Sequence, residues 1–120
     1  MKKLIGGLFL FGIGGFMSAQ TISFEKTTIE YGSIEANSNG YRTFTFKNTG
    51  DKPLILSNVK PSCGCTVPKW DKTPIQPGKT GTIEVGYDTS IKGAFHRGIE
   101  VYSNDPKKGR TTIYIKGNVK

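Results

Sequence analysis

The chain has 120 residues, with 17 lysines and arginines, 9 aspartates and glutamates, one histidine and two cysteines. That length fits one domain, and so few soft donors leave a closed four-ligand zinc site incomplete within one chain. The formal charge of +8 raises nucleic acid as a partner, but the basic residues are scattered. Their tightest group, Lys107, Lys108 and Arg110, brackets a glycine like a solvated turn, so no nucleic-acid partner is expected.

The first segment reads as an export signal. Lys2 and Lys3 open it, Leu4 to Met17 carries no charge, and Met17-Ser18-Ala19 ends in small residues. Cleavage after Ala19 divides the chain into a signal peptide, 1–19, and one domain, 20–120. The rival reading is a membrane anchor. Fourteen helical residues reach only about 21 Å, short of the roughly 30 Å hydrocarbon core. Five of the fourteen are glycines, which weakens a lone helix further. The expectation is therefore an exported protein, periplasmic or extracellular, with no transmembrane span after cleavage. Loss of Lys2 and Lys3 leaves 15 basic against 9 acidic residues, a charge of +6.

Beyond the leader, ten isoleucines and five valines face two leucines, and there are thirteen threonines. β-Branched side chains are stiff in helices and fit a pleated sheet. Alternation of period two recurs along the chain. Phe44 and Phe46 share one side; so do Ile83, Val85 and Tyr87; so do Ile99 and Val101, and Ile113 and Ile115. Turn signals separate these runs at Asn39-Gly40, Asn48-Thr49-Gly50-Asp51, Pro77-Gly78, Asn104-Asp105-Pro106 and Lys108-Gly109. The pattern predicts strands near 21–25, 28–34, 41–48, 53–60, 65–69, 79–88, 97–103 and 110–119. Seven or eight short antiparallel strands define an all-β, immunoglobulin-like sandwich with Greek-key connections, with a closed barrel as the alternative.

Several stretches together resemble a known family. They are Phe44-Thr45-Phe46-Lys47-Asn48-Thr49-Gly50-Asp51-Lys52-Pro53-Leu54, the run Ser62-Cys63-Gly64-Cys65-Thr66, Pro77-Gly78, Gly81-Thr82-Ile83, and Gly93 through Phe95 to Ser103-Asn104-Asp105. Over most of residues 24 to 119 the chain resembles the bacterial family known as domain of unknown function 1573. That family is akin to the immunoglobulin-like domains named for hydin and to the major sperm protein fold. The resemblance implies an exported β-sandwich used for binding or scaffolding, and no established reaction.

Cys63 and Cys65 are the only cysteines. In an extended strand, residues two apart face the same side, so both thiols would project together. A disulfide wants Cα atoms roughly 4.4–6.8 Å apart, which requires the backbone to leave the fully extended form. Gly64 permits such a bend, a positive φ included. Three readings stay open. One is a local disulfide or a packed thiol pair, natural in an oxidising compartment. Another is a reducible bond that exchanges with partner thiols. The third is a soft-metal site using Cys63 and Cys65, with His96 as a further ligand.

His96 otherwise reads as an exposed loop histidine. No Gly-x-Ser-x-Gly elbow accompanies it. The nine carboxylates show no helical pairing, and Asp51, Asp88 and Asp105 fall at turns where they cap backbone N–H groups. Trp70 reads as a core or core-edge residue rather than a sugar platform. No enzyme, catalytic residue or cofactor is expected. The expectation is a non-catalytic module that binds another exported protein or a cell-envelope component, with thiol-redox or soft-metal chemistry at Cys63 and Cys65 as the alternative.

Overall fold

The computed structural model describes residues 21–120, so the leader and its cleavage point lie outside the described residues. Among the described residues eight strands form: β1 (Ile22–Phe24), β2 (Thr28–Ile34), β3 (Tyr41–Asn48), β4 (Leu56–Pro61), β5 (Thr66–Trp70), β6 (Thr80–Tyr87), β7 (Gly93–Ser103) and β8 (Arg110–Val119). They make two four-stranded sheets, ordered β1-β3-β6-β5 and β2-β8-β7-β4. This is the immunoglobulin-like sandwich that the alternation predicts.

The alternating positions supply the core. Phe44, Phe46, Ile83, Val85, Ile99, Val101, Ile113 and Ile115 are buried between the sheets. Each such side chain contributes about 1.5–3 kcal/mol when fully removed from water. Their neighbours Thr82, Glu84 and Tyr114 face outward. An aromatic group closes one end of the core. Tyr87 stacks on Phe95 at 3.9 Å, and Tyr31 meets Phe95 edge-on at 5.2 Å.

One ladder departs from the antiparallel expectation: β2 runs parallel to β8. The reason is the link from β1. Glu25 N–H still bonds Thr45 O on the first sheet, while Thr27 O already accepts from Tyr114 N–H on the second. The chain passes to the other sheet at this point instead of turning back to pair with β1, and β2 enters beside β8. Two strand starts differ by three residues or more. The expected strand at 53–60 begins only at Leu56, because Leu54 is held in a separate bridge to Ile75 before the chain changes sheets. β7 starts at Gly93 rather than 97, because β8 continues to Val119 and pairs that far.

The register of β2 shifts between Glu30 and Gly32, where Gly32 takes φ 72°. The bulge turns Tyr31 inward, and its hydroxyl donates to Gly40 O at 2.7 Å. Burial pushes the Tyr31 phenol up to about 12, against a smaller opposing effect of the Arg42 guanidinium 4.2 Å above the ring. A phenol that ionises later when folded stabilises fully below the unfolded value of 10.0 and loses that contribution as pH rises towards about 12. Tyr31→Phe is therefore expected to flatten the alkaline limb of a pH–stability curve measured by urea unfolding.

Candidate functional site

The Ser62–Cys65 link carries the chain from β4 on one sheet to β5 on the other. Three backbone bonds fix it. Ser62 N–H bonds Gly98 O on β7 at 3.0 Å, Asp88 N–H bonds Cys65 O at 2.9 Å, and Thr66 N–H returns to Cys63 O at 3.4 Å. The last bond closes a tight turn. It brings the Cα atoms of Cys63 and Cys65 to 5.3 Å, and the two sulfurs are joined as a disulfide. Among the described residues the glycines of positive φ are Gly32, Gly78 and Gly93, so the bend at Gly64 is made without one.

Thr66 lies directly beneath the sulfurs. Its alternation with Val67 turns it inward, where it is only 2 % exposed. Its hydroxyl oxygen sits 3.7 Å from Cys63 Sγ and 3.8 Å from Cys65 Sγ. Cys65 itself packs against the edge of the core.

Beside the disulfide is a recess of about 280 Å³ lined by Tyr41, Gly64, Cys65, Val67, Gly86 and Asp88. Strand register builds it. Tyr41 lies opposite Gly86, and Gly86 lies opposite Val67, so the three form one row across β3, β6 and β5 on the outer face. Gly86 makes room for the phenol ring, since a Cβ there would stand 2.5 Å from Tyr41 Cε1. Tyr41 and Val67 stay 48 % and 52 % exposed, and Ile91 at 44 % stands on the adjoining turn. Asp88 supplies a negative charge at the rim. Hydrogen bonds from the Ser90 hydroxyl and N–H hold its carboxyl below the usual range. The other face holds a larger groove of about 430 Å³ over Gly98, with Ser62, Glu100, Thr112 and Tyr114 around it, but neither cysteine lines it.

His96 is not brought to the cysteines. It projects from the outer face of the second sheet, opposite Lys116, with its ring 5.3 Å from that of Tyr114. Among the described residues no three His, Cys, Asp or Glu side chains converge as a metal site, so the trio Cys63, Cys65 and His96 is not assembled within one chain. Trp70 pairs with Ile83 and packs partly buried against the core, with the Lys72 ammonium 5.0 Å from its ring. Asp105 caps as a turn aspartate does: its carboxylate accepts from the N–H groups of Ile22, Lys107 and Lys108 at 2.8–3.0 Å. Tyr41, Thr66 and Gly86 had no place among the sequence-level candidates. Tyr41 and Val67 stand on the outward parity of their strands, which was the one available signal.

The geometry defines a class: an immunoglobulin-like sandwich whose strand-crossing link carries a disulfide between cysteines two apart in sequence. The sequence matches the family described as Protein of unknown function (DUF1573) over residues 22–119, and the chain belongs to that family. No curated protein matches the sequence. Among solved structures, the chain is similar to a protein of unknown function from Porphyromonas gingivalis W83, with TM-score 0.76 and 19% identity. That match covers 84% of this chain and 47% of the other, so this chain spans about half its length. A PapD-like domain of human CEP192 matches with TM-score 0.64 and 9% identity, over 82% of this chain and 84% of that one. The CsuC–CsuE chaperone–tip adhesion subunit complex of Acinetobacter baumannii matches with TM-score 0.58 and 13% identity, over 83% and 57%. At these identities the likeness shows the fold.

Proposed function

We propose that the domain is an exported, non-catalytic binding module of the cell envelope that seats a segment of another exported protein at the disulfide rim. The observation that carries this reading is the apolar recess formed by Tyr41, Gly86 and Val67. An apolar hollow with half-exposed aromatic and aliphatic walls suits an inserted side chain of a partner. The leader pattern at Lys2 to Ala19 and the likeness to a chain of a pilus chaperone–tip adhesion subunit complex support export and protein binding.

The partner docks on the face rather than by adding a strand to β5. Cys65 O faces β6, so Val67 and Lys69 also direct their backbone groups to β6, and Thr66, Pro68 and Trp70 direct theirs to the open edge. Thr66 N–H is already bonded to Cys63 O, and Pro68 has no N–H. An edge so poor in donors is a weak template for another strand.

The test is capture from an envelope extract on the immobilised protein, beside the double variant Tyr41→Glu/Val67→Glu. Both substitutions fall on exposed positions, so the fold, checked by circular dichroism, is expected to survive. Wild type is expected to retain a specific protein at moderate salt and the double variant to lose at least nine-tenths of it, a change of about 1.4 kcal/mol or more. Equal retention by both would overturn the placement of the site.

A further inference from the structure

We propose that the Cys63–Cys65 disulfide exchanges with a dithiol of the bound protein partner, and that the Thr66 hydroxyl stabilises the thiolate released in the first step. Three observations converge on it. First, the bond joins residues two apart in sequence. Stabilisation by a cross-link grows with the loop it closes, so this one restrains the unfolded chain little, and the backbone bonds of Ser62, Cys65 and Thr66 already fix the link. Second, Cys65 lines the apolar recess, so a cysteine flanked by an apolar side chain can bring its sulfur to the bond while that side chain fills the hollow. Third, the buried Thr66 hydroxyl has both sulfurs as its hydrogen-bonding neighbours, at 3.7 and 3.8 Å. A hydroxyl so placed donates to whichever sulfur becomes anionic, and donation to a charged acceptor is among the stronger hydrogen bonds.

The chemistry closes without another reagent. A partner thiol loses its proton to water, and the thiolate attacks Cys65 Sγ. The Cys63–Cys65 bond breaks, a partner–Cys65 disulfide forms, and Cys63 leaves as a thiolate that accepts from Thr66 Oγ1–H. A second partner thiolate then attacks its own sulfur in the mixed disulfide and releases Cys65. The partner dithiol is oxidised to a disulfide by two electrons, and the Cys63–Cys65 bond is reduced to two thiols that take protons from water. The exchange is stoichiometric. It rests on the binding reading only for where the partner sits.

The test uses two reductants on the purified full-length protein: dithiothreitol, too small to need the recess, and a synthetic two-cysteine peptide with leucine beside its first cysteine. Loss of the disulfide is followed by alkylation and intact mass, and thiolate formation in the reduced protein by ultraviolet absorbance. Thr66→Val, which keeps the shape and loses the hydroxyl, is expected to slow both reductants about ten-fold and raise the pH at which the first thiolate appears. Thr66→Ser is expected to restore both. Val67→Glu is expected to slow the peptide alone. Exchange with neither reductant at neutral pH would overturn the proposal. An unchanged rate and thiolate titration in Thr66→Val would remove the role of Thr66. If Val67→Glu leaves the peptide rate unchanged while Thr66→Val slows it, the recess is wrong and the sulfur chemistry stands.

Discussion

Asn48→Ala will cost about 4 kcal/mol of stability and lower the thermal midpoint by about 20 °C. Asn48 ends β3 with a side chain that is 0% exposed. Its amide nitrogen donates to Lys52 O at 2.7 Å and Ile75 O at 2.9 Å, and its amide oxygen accepts from Gly50 N–H at 3.0 Å and Thr21 N–H at 3.3 Å. One side chain thus satisfies four backbone groups, drawn from the start of β1, the turn after β3 and the loop before β6. Alanine removes all four bonds; Ile75 O keeps the Leu54 N–H at 2.9 Å, while the buried Gly50 N–H loses its acceptor. A buried polar group without a partner costs about 1–3 kcal/mol, and a water entering the space recovers part of the total. Thr49→Ala, at the exposed next position, is the control and is expected to change stability by less than about 0.5 kcal/mol. Urea unfolding of the three proteins measures both values.

Gly40→Ala will be as damaging by a different route. A Cβ at Gly40 would stand 2.1 Å from Tyr87 O and 2.9 Å from Thr89 Cγ2. The first obstacle is backbone, so no rotamer change relieves it, and β3 and β6 must part where Tyr87 N–H bonds Gly40 O. The same movement pulls Gly40 O away from the Tyr31 hydroxyl. The loss is expected on the order of 3 kcal/mol or more, at the upper end of overpacking effects. Gly64→Ala is the informative comparison, because a Cβ there meets nothing within 4 Å. It is expected to be neutral or to stabilise by up to about 1 kcal/mol through the unfolded chain. Equal losses in both variants would show that steric contact is not what decides the difference.

The strands were legible in the sequence because period-two alternation names the buried face without reference to any partner. The intervals for β2, β3 and β8 coincide with those observed, and the paired phenylalanines of β3 and isoleucines of β8 lie in the core as the pattern requires. Alternation fixes faces and leaves partners open, which is why the parallel pairing of β2 with β8 was out of reach. It is decided where the chain crosses to the second sheet after Glu25. The site was half legible. The two cysteines advertise themselves, but the recess joins Tyr41, Val67 and Gly86 from three strands and exists only through their register. Thr66 stood beside Cys65 in plain view. Its inward direction, beneath both sulfurs, depends on the pairing of β5 with Tyr87. His96 shows the converse: a chemically suggestive residue that the fold places on the outer face of the second sheet.

A photocrosslinking amino acid placed at Val67 in living cells tests the binding account most directly, with the same group at His96 for comparison. His96 stands where β7 runs past its last β4 partner, on an open stretch of sheet edge. The account expects a discrete adduct from position 67 in the envelope fraction, joined to another exported protein, and no such adduct from position 96. Adducts from 96 alone, or a crosslinked partner that resides in the cytosol, would contradict it.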